Sequence, residues 1–454
     1  MKALSAQQIA EILGVSTLVG DASALIGGGV STDTRSMSEG AVFFALRGDN
    51  FNGDEFALQA LESGAAAVVV QEWKGDVPAG KAVIEVGDTL LALQKLAHWW
   101  RQQLDLEVVG ITGSNGKTST KDFLTAILSQ KFKVNSTKGN LNNHIGVPLS
   151  VLSATEDDEV AVWEMGMNHS GEIAPLCEIA RPKYGVITNI GTAHIEYLGT
   201  RDAIAEEKGM LARALPDDGI LFLPAICEYH GYLRDRTKAS ITSVGNGRGL
   251  VRAEESVFES NHTVFNLVIE GEGSERVVLP VAGKHMVNNA LLAAGVSWRL
   301  GMTIQEIAQG LSSAKITGGR MNRYQSNGID VIDDTYNANP ESMAAAIETL
   351  AEMPVVNGSR RIIVLGKMGE LGMHADSAHT RIGQLATERN LKVVVVGEGA
   401  KAIADGADDS IYFAGHDEAA SWLTNEVKSG DVVLFKGSRA ATIEKVMNSV
   451  FPKN

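Results

Sequence analysis

The feature that most constrains this chain is a seven-residue turn, Thr112-Gly113-Ser114-Asn115-Gly116-Lys117-Thr118, between a Val/Ile-rich run at 108–112 and an amphipathic stretch at 117–131. The run reads as a strand and the stretch as a helix, so the turn lies where a strand feeds a helix N-terminus. Glycines there let backbone N–H groups curl round a phosphate, while the helix dipole adds positive potential. Lys117 then sets an ammonium against β- and γ-phosphates, and the Thr118 hydroxyl is placed to ligate Mg²⁺. The general pattern G-x-x-x-x-G-K-[ST] is met imperfectly: Ile111 stands where its first glycine belongs, and Gly110 falls one residue early. The strand–loop–helix context still predicts a nucleotide-binding loop, with Gly113, Ser114, Asn115, Gly116, Lys117, Thr118 and Ser119 holding ATP.

A loop of this kind needs a sheet behind it, and the flanking text supplies one. Runs at 160–163 and 184–190 read as strands and 203–215 as a helix, a pattern that predicts a parallel sheet covered on both faces. Between 239 and 280 the strands alternate and are punctuated by glycine, as an antiparallel extension would be, and 288–300 reads as a helix. Upstream, Ser5 and Gln8 form a capping box and Gly14 ends the helix they start. Strand-like runs at 41–46, 65–70 and 82–86 follow, and a helix closes this part near 99–104. Beyond 318–320 a third α/β pattern begins, with strands at 330–333, 361–365, 392–396 and 431–435. For 454 residues, at roughly 150 per domain, the expectation is an α/β protein of three domains. These are a small α/β N-terminal domain (1–104), a central P-loop-type parallel-sheet ATPase domain (105–318) and a C-terminal Rossmann-like α/β domain (319–454).

Charge narrows the partners. A net charge of −15 repels polyphosphate, which disfavours general nucleic-acid and membrane-surface binding and leaves small phosphorylated ligands held by a local positive site. A 44% hydrophobic content is enough for several cores and excludes a disordered chain. Two cysteines in so long a chain are no disulfide framework and predict a reducing compartment. The N-terminus has no apolar h-region, and no apolar run reaches the roughly 20 residues of a membrane span. A cytoplasmic protein without membrane insertion is expected. Two more residues fall at strand ends, where open α/β sheets bind ligands: Glu164, suited to a hard Mg²⁺, and His194, able to ligate a second metal or orient water. Alternatively, the glutamate bonds a loop and the histidine is a packing residue.

The loop, together with Gly139-Asn140-Leu141-Asn142-Asn143, Glu164-Met165-Gly166, Asn168-His169-Ser170-Gly171-Glu172-Ile173 and Thr188-Asn189-Ile190-Gly191-Thr192-Ala193-His194, resembles the Mur ligase family, the ATP-dependent amino-acid and peptide ligases of bacterial cell-wall synthesis. Asp333-Asp334-Thr335-Tyr336-Asn337-Ala338-Asn339-Pro340, Glu370-Leu371-Gly372 and Lys436-Gly437-Ser438-Arg439 extend the likeness over essentially the whole chain. The Asn-Leu-Asn-Asn and Tyr-Asn-Ala-Asn-Pro segments are similar to the branch that adds D-alanyl-D-alanine to UDP-N-acetylmuramoyl-tripeptide. The Asp-Asn-Pro-Arg motif of the diaminopimelate-adding relatives is absent.

The resemblance implies an ADP-forming ligase that works through an acyl phosphate, acts as a monomer, and uses ATP with two Mg²⁺ ions. It implies that Lys117 contacts the γ-phosphate, that Thr118 and Glu164 hold one Mg²⁺, and that His194 holds the second. Lys208 would join the metal set as a carbamate; on the residues alone it reads as a solvated helix lysine paired with nearby acids. The resemblance further places Asn289 on the adenine side, Arg320 on phosphate and Asp334 on ribose. Ser31, Thr32, Asp33, Arg35, Arg47 and Asn50 match the uridine-side segments, although Gly, Asn and Asp there also suit plain turns. Three departures stand out. Met286 replaces a usual Asn, which removes one polar nucleotide contact from the expected set; Pro224-Ala225-Ile226-Cys227 replaces an Asn-x-Asp segment; Lys367 replaces a common Asp. The last two predict altered loop shape rather than lost activity.

Three other readings compete. Gly366-x-x-Gly369-x-x-Gly372 after a strand suggests a dinucleotide-dependent oxidoreductase, but it lacks the initial Gly-x-Gly, and no acid clearly ends the next strand. A P-loop switch protein would hydrolyse nucleotide without a ligase substrate. A folate-polyglutamating or single-amino-acid-adding ligase is the alternative within the family.

Overall fold

The computed structural model describes residues 1–48, 51–259, 261–355 and 358–452. Its first helix, α1 (Ala6–Leu13), starts on the expected capping box, with Ser5 Oγ accepting from Gln8 N at 3.2 Å and Gln8 Oε1 from Ser5 N at 2.9 Å. Beside it lies a five-stranded sheet of β1 (Leu18–Gly20), β2 (Val30–Ser31), β3 (Val42–Phe44), β4 (Ala67–Val70) and β5 (Ala82–Glu85), in the order β1-β5-β4-β3-β2. The strands β3 to β5 are those the sequence suggests. Two- and three-residue strands such as β1 and β2 are too short to leave an alternation. Helix α2 (Thr89–Gln103), capped by Asp88, carries Trp100 into the boundary with the next unit. There its indole donates to Ala154 O at 2.9 Å and the Met1 amine donates to Leu152 O at 2.9 Å.

The central sheet has nine strands: β6 (Glu107–Thr112), β7 (Val134–Ser136), β8 (Val160–Glu164), β9 (Tyr184–Ile187), β10 (Ile220–Pro224), β11 (Ser240–Asn246), β12 (Val251–Phe258), β13 (Thr263–Ile269) and β14 (Gly273–Leu279). They run in the order β7-β8-β6-β9-β10-β11-β12-β13-β14, with parallel pairs as far as β12 and antiparallel pairs beyond it. The antiparallel extension therefore starts at β12; β11, which the sequence groups with it, belongs to the parallel part. Every residue of β8 and β9 is buried, as expected for parallel strands covered on both sides. β9 stops three residues before the expected end at 190, because Thr188 to Gly191 leave the sheet to brace the phosphate loop. Helices α3 (Lys117–Leu128), α4 (Arg201–Ala214) and α5 (Lys284–Arg299) pack around this sheet. α4 begins two residues before the expected 203, because Thr200 caps it. α5 begins one turn before the expected 288, since nothing in Lys284-His285-Met286-Val287 breaks a helix.

A six-stranded sheet completes the fold, formed by β15 (Asn322–Ser326), β16 (Ile329–Asp334), β17 (Arg361–Leu365), β18 (Lys392–Val396), β19 (Ser410–Phe413) and β20 (Val432–Lys436) in the order β15-β16-β20-β17-β18-β19. Only the edge strand β15 is antiparallel to its neighbour. Helix α6 (Pro340–Glu352) follows β16 and starts with Asn339 as its cap. No helix of the described residues is long and apolar enough to cross a membrane. Register sets the site: β6 pairs Ile111 with Glu164 of β8 and Thr112 with Ile187 of β9. The phosphate loop thus shares one rim, at the carboxyl ends of the strands, with Glu164 and the segment leading to His194.

Candidate active site

The loop after β6 is held from behind by the turn after β9. Ser114 N donates to Asn189 O at 3.1 Å, Asn115 N to Asn189 Oδ1 at 2.9 Å, and Gly191 N to Ser114 Oγ at 2.8 Å. Gly113 lies at φ 146° and Gly116 at φ 84°. A Cβ on Gly113 would collide with the Thr188 hydroxyl, and one on Gly116 with the Asn289 carboxamide. These two glycines are therefore required by space as well as by backbone conformation. Lys117 folds back so that Nζ donates to Gly113 O at 2.7 Å. Burial pushes its ammonium pKa down, Glu164 pulls it up, and the nearby Arg320 guanidinium pushes it down.

Thr118 links the loop to both sides of the cleft. Its hydroxyl donates to Glu164 Oε2 at 3.1 Å and accepts from Arg320 Nη2 at 3.0 Å. Glu164 is 1% exposed, and its Oε1 is buried without a hydrogen-bond partner. A buried carboxylate oxygen left open beside a hydroxyl matches the donor chemistry of a Mg²⁺ site that also takes phosphate oxygens and water. Among the described residues, no group of three His, Cys, Asp or Glu side chains could hold a metal by itself. A site at Glu164 would draw on the Thr118 hydroxyl and on substrate oxygens.

Lys208 does not face solvent. It is 1% exposed on α4 and makes no hydrogen bond or ion pair among the described residues, so the solvated-lysine reading fails. Burial first and the charge of Lys117 second push its ammonium pKa far below the usual lysine range, against the pull of Glu207. Glu207 beside it is also buried and accepts from Gly171 N and Ile173 N, both at 2.7 Å, fixing the Asn168–Ile173 segment. His194 sits at φ 67°, and its Nδ1 lies 2.6 Å from Glu370 Oε2 of the third unit. His194 holds that carboxyl below its ordinary pKa, against the effect of burial.

The third unit closes one wall. The α6 cap Asn339 and the loop residue Asn115 exchange amide bonds, with Asn339 Nδ2 donating to Asn115 Oδ1 at 2.8 Å and Asn115 Nδ2 to Asn339 Oδ1 at 3.2 Å. Glu341 accepts from Thr192 N at 2.8 Å and from Thr192 Oγ1 at 3.1 Å. The Arg320 guanidinium lies over the Tyr336 ring, 4.0 Å from its centroid. Asp334 accepts from Lys436 Nζ at 2.6 Å and from Met321 N at 3.1 Å. His285, near this pair, is pushed down to a pKa of about 4, chiefly by burial. The cleft between the two units is about 730 Å³ and is lined from both.

Of the expected residues, Ser114 to Ser119, Glu164, His194, Asn289, Arg320 and Asp334 line this cleft, whereas Gly113 and Lys208 lie behind its wall. Met286, Pro224 and Ile226 line it as well, so two of the three departures fall on one apolar stretch of wall. The exposed Lys367 gives its carbonyl to Ser438 N at 2.9 Å. Ser31, Thr32, Asp33, Arg35 and Arg47 do not line the cleft. Arg35 turns back onto Asp33 at 2.7 Å, and Arg47 pairs with Asp54 at 2.5 Å. Asn50 lies outside the described residues. Asn339 and Glu370 escape a site reading of the sequence although they sit in motifs it flags, and Glu341 lies just past one, because their roles depend on where a distant unit docks.

Three families of known domains match the chain in succession: "Mur ligase family, catalytic domain" at residues 28–101, "Mur ligase middle domain" at 111–297 and "Mur ligase, glutamate ligase domain" at 319–439. UDP-N-acetylmuramoyl-tripeptide–D-alanyl-D-alanine ligase of Bacillus subtilis is 36% identical over 434 residues, covering 93% of each chain. A crystal structure of MurF from Acinetobacter baumannii superposes with a TM-score of 0.92 at 34% identity, covering 100% of both chains. MurF ligase from Thermotoga maritima, solved in complex with ADP, superposes with a TM-score of 0.83 at 30% identity, covering 93% of this chain and 96% of that one.

Proposed function

The chain belongs to the Mur ligase family, and from that premise we propose that it joins D-alanyl-D-alanine to UDP-N-acetylmuramoyl-tripeptide with conversion of ATP to ADP and phosphate, in making the pentapeptide precursor of peptidoglycan. The observation that carries this reading is the two-sided cleft. A phosphate loop with Lys117 and the open oxygen of Glu164 form one side, and Arg320 reaches Thr118 from the other.

The loop amides and Lys117 bind the β- and γ-phosphates, and Arg320 neutralises charge on the transferring group. The tripeptide's terminal carboxylate attacks the γ-phosphorus; the new O–P bond forms as the bond to ADP breaks, giving an acyl phosphate. The amine of D-alanyl-D-alanine attacks the acyl carbon, passes through a tetrahedral intermediate and expels phosphate. Positioning two substrates against one nucleotide is the main contribution of the protein. Thr118 and Glu164 would hold a Mg²⁺, and His194 with Lys208 a second. These ions supply charge neutralisation on phosphate and carboxylate oxygens. His194 would suit that role with Nε2 as the ligating nitrogen, since Glu370 Oε2 lies 2.6 Å from Nδ1 as a carboxylate behind the ring. Lys208 suits it as a carbamate: burial favours the uncharged amine, the form that adds CO₂, and the product would be an anionic oxygen ligand. Asn289 serves the adenine side and Asp334 the ribose. The 1–104 unit takes the uridine end through Ser31, Thr32, Asp33, Arg35, Arg47 and Asn50, the 105–318 unit ATP, and the 319–454 unit the dipeptide. Both walls of the cleft come from one chain, which supports a monomer. The free cysteines Cys177 and Cys227 accord with work in the bacterial cytoplasm.

Coupled ADP release tests the reading. Turnover should require both the UDP-tripeptide and D-alanyl-D-alanine, and Lys117→Ala should lower it about 10²–10³-fold. ADP release without either substrate would favour a nucleotide switch. Turnover with glutamate or diaminopimelate in place of the dipeptide would favour a single-amino-acid ligase.

A further inference from the structure

Four lysine or arginine side chains line the cleft: Lys117, Arg320, Lys436 and Arg439. Three are committed. Lys117 lies on the phosphate loop, Arg320 on the Thr118 hydroxyl, and Lys436, 3% exposed, is pinned between Asp334 and the Asn337 carbonyl. Arg439 alone has no such post. Its guanidinium is largely exposed, with a single loose contact to Glu444 at 3.6 Å. Beside it, Ser438 is 3% exposed, and its Oγ is buried without a hydrogen-bond partner. An orphaned buried hydroxyl on a cleft wall next to an uncommitted guanidinium is the donor set a carboxylate needs. Gly369 and Ala440 flank the pair, and both are small. A Cβ on Gly369 would sit 3.6 Å from Ser438 Cβ, so a larger side chain would fill the space beside the hydroxyl.

The reaction supplies one carboxylate that must be held and not consumed, the C-terminal carboxylate of the incoming dipeptide. We propose that Arg439 and Ser438 anchor it, and that Gly369 and Ala440 leave room for its methyl groups, so that this pair sets the selectivity for a dipeptide ending in a free carboxylate. The proposal rests on the ligase reading above and adds the residues that choose the second substrate.

The test compares D-alanyl-D-alanine with its C-terminal amide, in which the charge is gone and the length kept. The wild-type enzyme should disfavour the amide in kcat/KM by roughly ten- to hundredfold, the effect of one charge-assisted contact. Arg439→Gln should raise the KM for D-alanyl-D-alanine by a similar factor and erase most of the discrimination. It should leave the KM values for ATP and the UDP-tripeptide within about twofold, since a surface arginine carries little of the fold. Ser438→Ala should show the same pattern with a smaller change. If Arg439→Gln keeps the wild-type preference for the acid, the anchor lies elsewhere and the proposal is wrong. If the KM for the UDP-tripeptide rises instead, Arg439 serves the acceptor peptide and the proposal is likewise overturned. If wild-type enzyme turns over neither dipeptide, the ligase reading itself has failed, a result distinct from both.

Discussion

Cutting the amide pair between Asn115 and Asn339 should weaken closure of the third unit on the phosphate loop without unfolding either. The two bonds, at 2.8 and 3.2 Å, are each worth about 0.5–1.5 kcal/mol net. Their loss makes the closed arrangement about 1–3 kcal/mol less favourable, a factor of roughly 5–160 in the closing equilibrium. Asn339→Ser is the right perturbation. Serine still caps α6, where Asn339 Oδ1 now accepts from Ser342 N at 3.0 Å, but it is too short to reach Asn115. Arg320 reaches Thr118 from the same unit, so kcat in coupled ADP release should fall about fivefold or more. ADP affinity, measured by calorimetry, should change little, because the loop keeps its bracing from Asn189 and Gly191. Asn115→Ser should match Asn339→Ser, and the double variant should be no worse than either single one. A coupling in kcat below about 0.3 kcal/mol would show that the two amides do not act as a unit, and the closure reasoning would fall.

Gly116→Ala should be damaging although it adds one methyl. The position lies at φ 84° and the new Cβ meets Asn289, so calorimetric stability should drop by about 1–3 kcal/mol and nucleotide binding should weaken with it. His285 stays neutral in the folded chain down to a pKa of about 4, against an ordinary 6.5. Below 6.5 the unfolded chain takes up a proton that the folded one refuses, so stability is lost as pH falls from 6.5 towards 4. The loss should be about 1–3 kcal/mol in denaturant titrations, and His285→Gln should flatten that slope. Lys208→Met should raise the melting temperature at pH 7, with the gain shrinking as pH approaches 10, because the buried amine's cost is greatest where the unfolded lysine is charged. The same substitution should lower turnover roughly tenfold or more and remove any dependence of the rate on added bicarbonate, whereas wild-type turnover should rise with it.

What could be read in the sequence, and what could not, follows from the range of the interactions. The proposed phosphate loop is local: strand, glycines, lysine and helix start lie within a dozen residues, and each has its own backbone signature, so β6, α3 and the turn between them are legible. The strands β8, β9, β17 and β18 are legible for the same reason, since burial on both faces leaves runs almost free of polar residues. The edge strand β15, Asn-Arg-Tyr-Gln-Ser, is not, because one side of its ladder faces solvent and nothing requires it to be apolar. The site follows the same division. Glu164 is visible because it ends a strand, whereas the Glu370–His194 and Asn339–Asn115 pairs join residues 176 and 224 positions apart. Such pairs exist only once two independently packed sheets have docked, and no periodicity encodes a docking pose. Lys208 is the intermediate case. Its helix is legible, but the sequence around it, Glu206-Glu207-Lys208, has the charge pattern of a solvated face. The Glu207 and Lys208 side chains are both buried, and Glu207 accepts from Gly171 N and Ile173 N, a contact set by a loop more than 30 residues away. In this chain, then, the residues proposed to bind phosphate are written locally. Those that would hold metal and order the second substrate depend on how the units meet, so variants at Glu207, Glu370 and Asn339 should alter kcat more than nucleotide affinity.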